Sequence, residues 1–318
     1  MTRTPKAFGS AGIRTSLLLI VALLTTGVPT RAEGPDFPVQ AEIFIDAFEA
    51  SEGITFNGRG ELFIAANRAV WRAEPDGSVE QLVELYTNLG QAGIGEADIL
   101  QADFGLMNIF RDKEKAENDG IIWRVTPEGE KTVAAEGIAD PNFILVLESG
   151  SYLVSDDGTD KIYLVTPEGK VRVWSDAIDY PNGMALSPDG STLYVAQIFT
   201  SLDPIGFDDR LWALPVEGGE PAGEPRVVAE TGEGGIDGLA MDELGRVYIA
   251  DNGGGKIWRF DPDSEEMVLI AENMPHVASL VFGEGEFDHH SLYATATFRG
   301  GGTVYKVAVG VGGVRQYR

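Results

Sequence analysis

The pair Val70-Trp71 returns five more times along the chain, as Ile122-Trp123, Ile162-Tyr163, Leu211-Trp212, Ile257-Trp258 and Val304-Tyr305. Successive aromatics lie 52, 40, 49, 46 and 47 residues apart, and four of the five tryptophans fall on this register. Each pair sits in a short alternating run behind a Gly-rich or polar turn, so the repeating unit is made of strands. A strand-only unit of about 40–50 residues cannot bury both of its faces alone and must stack on copies of itself, which is the pattern of a β-propeller. Six copies predict an all-β fold with six blades. A repeated core position needs a repeated filler, so the aromatics are expected to pack between blades.

The fifth repeat is the clearest. Gly238 to Met241 reads as its inner strand, Arg246 to Ala250 as the second, Lys256 to Phe260 as the third and Met267 to Ala271 as the fourth. Pro-Xaa-Gly triplets such as Pro75-Asp76-Gly77 and Pro188-Asp189-Gly190 supply turns between strands elsewhere. The second repeat is degenerate: its second strand reads as Asp98 to Ala102, and its inner strand falls near Leu89 to Ile94. The last repeat ends after three strands, while an orphan strand, Glu42 to Phe48, precedes the first. Pairing the two would complete the last blade and close the ring without an exposed edge.

The first 32 residues read as a secretory signal peptide ahead of a propeller spanning 33–318. Arg3, Lys6 and Arg14 form a basic leader, Leu17 to Leu24 centres an apolar run, and Thr30-Arg31-Ala32 offers a cleavage site. The apolar run is shorter than the roughly 20 residues that span a bilayer. Cysteine is absent, so the fold must stand on its core, and export points to a periplasm or the medium. Fifty acidic side chains face 24 basic ones, for a net charge of −26. Such a surface repels phosphate backbones and anionic lipid, which argues against nucleic-acid and membrane partners. A small-molecule substrate is the expected partner; the oligomeric state is open.

Two links break the size pattern. Residues 104–120 and 198–210 both join the second and third strands of their repeats, so they are expected on one face. The residue ahead of each inner strand is Glu52 in the first repeat, Asn142 in the third, Asn182 in the fourth, Asp237 in the fifth and Ala278 in the sixth. Equivalent positions in a ring point to the axis, so two carboxylates and two amides converge at one mouth. Two carboxylates on an axis are unfavourable without a cation between them. An all-oxygen set without His or Cys suits a hard ion such as calcium, or another hard divalent ion. Asn and Asp before Gly also serve as plain turn residues. His289 and His290 read as exposed turn residues on the opposite face, and His276 lies close enough to the mouth to meet a substrate.

The run Pro181 to Gly190 with Leu193 to Ala196, the run Asp237 to Asp242 with Ile257 to Pro262, and Glu52-Gly53-Ile54 resemble the senescence marker protein/gluconolactonase/luciferin-regenerating-enzyme-like family. The resemblance implies one divalent ion on the axis and hydrolysis of lactones or related esters. Carried over by position, it makes Glu52, Asn182 and Asp237 metal ligands, Asn142 a ligand or substrate contact, and Asp237 the base or nucleophile. Asp140 stands where sugar-lactone members carry an Arg, and Phe143 where a small or acidic residue is usual. Both are expected to touch substrate and to make the pocket less suited to a polyhydroxy acid lactone. A non-enzymatic binding propeller and a metal-free propeller resembling strictosidine synthase are the competing readings.

Overall fold

The computed structural model describes residues 1–2, 35–109, 118–297 and 301–314. The leader expected at 1–32 and most of the charged run Arg111 to Asp119 lie outside the described residues. Gly34–Arg318 forms one compact unit. Among the described residues no helix is long and apolar enough to cross a membrane.

The six expected blades are present as antiparallel sheets of four principal strands. From the axis outward, blade one is Ser51–Phe56, Leu62–Ala66, Ala69–Ala73 and Val79–Glu84. Blade two is Gln91–Ile94, Asp98–Asp103, Gly120–Val125 and Lys131–Ile138. Blade three is Pro141–Val146, Tyr152–Asp156, Lys161–Val165 and Val171–Ser175. Blade four is Pro181–Leu186, Thr192–Gln197, Arg210–Glu217 and Arg226–Glu230. Blade five is Ile236–Met241, Val247–Asp251, Lys256–Asp261 and Glu266–Glu272. Blade six is Val277–Phe282, Ser291–Ala296 and Val304–Ala308, and its outer strand is Glu42–Ile45 from the other end of the chain. The ring therefore closes as the orphan strand predicts. Val39–Gln40 first adds a parallel strand to the edge of blade five.

Burial falls from the axis outward. Every residue of Leu62–Ala66 and Val247–Asp251 is buried, whereas Val79–Glu84 is half open to solvent. The inner and second strands are covered on both faces by neighbouring blades, so they read as apolar runs rather than as alternating ones. Period-2 geometry then sends successive side chains to different neighbours. Leu62 and Ile64 pack with blade six, and Phe63 between them packs with blade two.

The same rule explains the repeated dipeptide. The aliphatic member faces the following blade: Val70, Ile122, Ile162, Leu211, Ile257 and Val304 are each buried in that seam. The half-buried aromatic member faces the preceding blade, Trp71 against blade six, Trp123 against blade one, and so on to Tyr305 against blade five. One dipeptide thus seals two seams, and six copies seal the ring. In the four blades that carry Trp, the indole N–H also ties the blade to itself at the end of its second strand. Trp71 donates to the Ala66 carbonyl, Trp123 to Asp103, Trp212 to Gln197 and Trp258 to Asp251.

Candidate axial site

The inner strands begin two residues earlier than the sequence reading has them. Glu52, Asn142, Asn182, Asp237 and Ala278 are therefore the second residue of their strands, not the residue before them. In all five blades the register slips by one residue at this point, between Ser51 and Ile54, Pro141 and Ile144, Pro181 and Met184, Ile236 and Leu239, and Val277 and Leu280. A bulge there turns the side chain out of the pleat. In three blades the chain enters this kink through a left-handed residue, Tyr180, Gly235 or His276.

Close packing of the bulges explains the glycine that follows Glu52, Asn182 and Asp237. A Cβ at Gly53, Gly183 or Gly238 would collide with the backbone carbonyl of Leu89, Asp237 or Ala278 on the next blade. A Cβ at Gly90 would meet the Asn142 carbonyl in the same way, and the Gly90 N–H donates to that carbonyl at 3.1 Å. Leu89-Gly90 is thus the missing pair of the degenerate second repeat; Leu89 is buried with Ala92, Leu100 and Ile144 in the seam between blades two and three, so this pair brings no side-chain oxygen to the ring.

Glu52, Asn142, Asn182 and Asp237 are all buried. Three of them share one design, with one side-chain atom tied to the protein and one oxygen left over. Glu52 Oε1 accepts from Ser279 Oγ at 3.3 Å, and Oε2 has no partner. Asn142 Nδ2 donates to Asp157 Oδ2 at 2.8 Å, and Oδ1 has no partner. Asp237 Oδ2 accepts from Asn252 Nδ2 at 3.4 Å, and Oδ1 has no partner. Both amide atoms of Asn182 are unpartnered. Buried polar atoms are nearly always paired, so a group of orphans on equivalent positions marks something that binds there.

Asp157 is the site residue the sequence reading missed. It stands at the end of the second strand of blade three, and Asn252 holds the corresponding place in blade five. The signal was available as spacing: Asn142 to Asp157 and Asp237 to Asn252 are both 15 residues apart. Asn252 also donates to the carbonyls of His276 and Val277, both at 3.2 Å, so it stitches blade five to blade six beneath Asp237.

The buried carboxyls of this cluster hold their protons more tightly than free ones. Burial pushes the Glu52 carboxyl well up, and the nearby Asp237 and Asp157 charges add to the effect. Burial also raises Asp237. Asp157 rises to about 8 through desolvation, opposed by the Asn142 hydrogen bond and reinforced by Asp140, Asp156 and Asp237. Among the described residues no three His, Cys, Asp or Glu side chains converge closely enough to hold an ion by themselves. The axial set is instead mixed, with the amides Asn142 and Asn182 on adjacent blades three and four and the carboxylates Glu52 and Asp237 on blades one and five.

The other expected contacts divide between the mouth, the seams and the far face. Phe143 is corrected from a substrate contact to a packing residue: its ring is buried among Leu145, Leu153, Trp174, Ile178 and Met184 in the seam between blades three and four. Asp140 lies against Gly158, beside Asp156 and Asp157, at the blade-three edge of the mouth. His276 lies at the start of blade six, where its carbonyl serves Asn252 and the Thr297 N–H. His289 and His290 are exposed. A cavity of about 360 Å³ lined by Leu147, Trp174, Leu186, Pro188, Met241 and Val314 opens on the far face and takes no part in this site.

Residues 150–298 match the SMP-30/gluconolactonase/LRE-like region. The family resemblance read from Pro181–Ala196 and Asp237–Pro262 is thereby shown over the stretch from the second strand of blade three to blade six. A gluconolactonase from Xanthomonas campestris has a similar structure, at 20% identity and a TM-score of 0.65, over 84% of this chain and 88% of that one. Regucalcin from Agrobacterium tumefaciens, described as a calcium-binding protein, is similar at 20% identity and a TM-score of 0.69, over 88% of this chain and 97% of its own. A PQQ-bound aldose sugar dehydrogenase from Streptomyces coelicolor is similar at 15% identity and a TM-score of 0.64, over 88% of this chain and 99% of its own. At such identities the likeness is one of fold. An uncharacterized protein of Sulfolobus acidocaldarius is 31% identical over 86 residues, 27% of this chain. The matched segment spans about a third of that relative's length, 31%.

Proposed function

We propose that this protein is a metal-dependent hydrolase of lactones or related esters, with a divalent ion, calcium first among candidates, held by Glu52, Asn142, Asn182 and Asp237. The observation that carries the reading is the orphaned oxygen on each of these four buried side chains. Their donor set is all oxygen, which fits a hard cation, and the remaining coordination positions would fall to water and substrate. When bound, such an ion polarises a carbonyl and makes a neighbouring water more acidic. The matched family region and the similarity in fold to a gluconolactonase and a calcium-binding regucalcin support this reading.

The residues divide the work by what holds them. Ser279, Asp157 and Asn252 each grip one atom of an axial side chain and leave the other oxygen facing the mouth. The unpartnered Asn182 Nδ2 is a donor for a substrate oxygen. Asp237, whose affinity for a proton is raised by burial, is the base. It takes a proton from water as the water oxygen bonds to the carbonyl carbon. The ring C–O bond then breaks, and the proton passes to the departing alkoxide. The leader-like first 32 residues support export, so this chemistry is proposed for the periplasm or the medium.

The test is elemental analysis and calcium titration of the purified protein, with a panel of aliphatic, aromatic and sugar lactones. About one ion per chain is expected, together with hydrolysis that chelation removes and calcium restores. Asp237→Asn keeps the shape and one oxygen but loses the base, so saturating calcium should not restore its rate. Metal-free protein with full activity would sink the proposal. So would Asp237→Asn that is fully active when loaded.

A further inference from the structure

The insertion in blade four is folded as a hairpin. Phe199–Leu202 pairs with Ile205–Phe207, which sets Phe199 opposite Phe207 and Leu202 opposite Ile205. Its base is pinned on both sides. The Asp208 N–H donates to the Ile198 carbonyl at 2.9 Å, and the N–H groups of Gly235 and Ile236 both donate to the Asp208 carbonyl. Arg210 holds the Asp208 carboxylate, which is buried. On the other side, the Ile198 N–H donates to the Tyr180 carbonyl at 3.3 Å. The hairpin is therefore fixed between the starts of two inner strands, next to the bulges that carry Asn182 and Asp237.

A row of aromatic rings follows from that anchoring. Tyr180, two residues before Asn182, meets Phe199 edge-on with centroids 6.3 Å apart. Phe199 meets Phe207 at 5.6 Å. Phe207 lies over Gly234 and Gly235, where a Cβ on either glycine would touch its side chain at 3.3 Å. Gly235 is two residues before Asp237. The row thus brackets the two axial side chains on the blade-four to blade-five side. Its outer part is open: Phe207 is 59% exposed, Ile205 65% and Leu202 42%. Apolar surface held rigidly beside a polar centre marks a binding surface.

We propose that this hairpin is the hydrophobic wall of the axial site, and that it selects substrates carrying an alkyl chain or aryl ring beside the reacting carbonyl. The proposal rests on the hydrolase reading above. The occupant is the apolar part of the substrate, because the wall is continuous with the residues that flank the ligand oxygens. At the blade-three edge Asp140 adds a carboxylate, which disfavours an anionic substrate. The substrate class is then a neutral lactone or ester with a hydrophobic substituent, and the product is an amphiphilic carboxylate.

The experiment compares δ-valerolactone with δ-dodecalactone, the same ring without and with an alkyl chain, on the calcium-loaded full-length protein. Burial of each methylene contributes about fourfold, so wild type is expected to favour the alkyl lactone at least about tenfold in kcat/KM. Phe207→Ser and Ile205→Ser should each reduce that preference, chiefly through KM. Leu244→Ser, which removes an exposed apolar side chain from a turn on the far face, should leave the preference unchanged. Equal kcat/KM for the two lactones overturns the wall and leaves the hydrolase reading standing. Loss of preference in Leu244→Ser equal to that in Phe207→Ser overturns it too. So does sedimentation showing that Phe207→Ser only splits a dimer while the preference persists. Hydrolysis of neither lactone, nor of any other in the panel above, would refute the hydrolase reading, and the wall is then read by calorimetry with the neutral pair decanamide and acetamide. Tighter binding of decanamide that Phe207→Ser abolishes supports the wall, and equal binding of the two amides overturns it.

Discussion

Single residues in this propeller show what their repeated neighbours do by the places where they differ. Four blades tie the end of their second strand with an indole N–H, but blade three carries Tyr163 in that register. There the equivalent Asp156 keeps Oδ2 without a partner, and burial with the nearby Asp140 charge raises it to about 6. Tyr163→Trp supplies the donor that Trp258 supplies to Asp251. It is expected to lower the Asp156 pKa and to stabilise the fold at neutral pH by about 1 kcal/mol, read from the urea midpoint. Blade three also contributes to the pH response of the calcium-free protein. Asp156 and Asp157 rise from an ordinary 3.8 to about 6 and about 8. Across that window the folded state holds protons that the unfolded chain has released, so stability is greatest at acid pH and is lost as pH rises. Glu52 and Asp237 shift in the same direction. Calcium, which favours the ionised carboxylates, should offset the loss. The check is melting temperature from about pH 5 to about pH 8, with chelator and with calcium. A chelated protein that melts higher at the alkaline end would contradict the assignment.

At the scale of an element, the inner strand does two tasks that pull against each other. Its apolar residues must fill the seams on both sides, while one residue must leave the pleat and face the axis. The one-residue bulge reconciles them, and glycine after the bulge lets the next blade come close. Gly183→Ala puts a methyl group against the backbone carbonyl of Asp237. The expected cost is about 1–3 kcal/mol of stability, together with weaker calcium binding, because the displaced backbone carries a ligand. Alanine at Gly190, where nothing lies within 4 Å of the added carbon, disturbs no seam, although its left-handed φ of 72° still costs up to about 1 kcal/mol. Unfolding curves and calcium titrations of the two variants separate packing at the axis from backbone strain.

The whole molecule depends on closure. Each of the six seams has its own cluster of buried apolar residues, and no seam is dispensable, since an open ring exposes an edge strand and a hydrophobic face. Glu42–Ile45 completes blade six, and Ile45 and Phe48 fill the seam to blade one. A chain lacking Glu42 to Phe48 is expected to aggregate or to lose its cooperative unfolding transition. A monomeric, cooperatively folding product would contradict this closure. An ion held by the four proposed ligands would bridge blades one, three, four and five, so chelation should lower the melting temperature of the intact ring by mass action.

The sequence by itself determined the architecture. The aliphatic–aromatic dipeptide is a local pattern with a local consequence, because period-2 alternation sends its two members to opposite seams wherever it occurs. The orphan strand and three-stranded last repeat likewise specified the closure, and the four oxygen-bearing residues were legible as one register. Only the tertiary structure decided what those residues do to one another. Asp157 and Asn252 were passed over because their function comes from meeting Asn142 and Asp237 across a blade, at the far end of the neighbouring strand. Leu89-Gly90 could not be read as an axial pair until Gly53 and Asn142 were seen to enclose it. Phe143 follows an axial residue, yet the bulge that turns Asn142 out of the pleat sends the next side chain into the seam. Contacts between strands set burial, and burial sets which carboxylates hold their protons and which oxygens remain free for an ion.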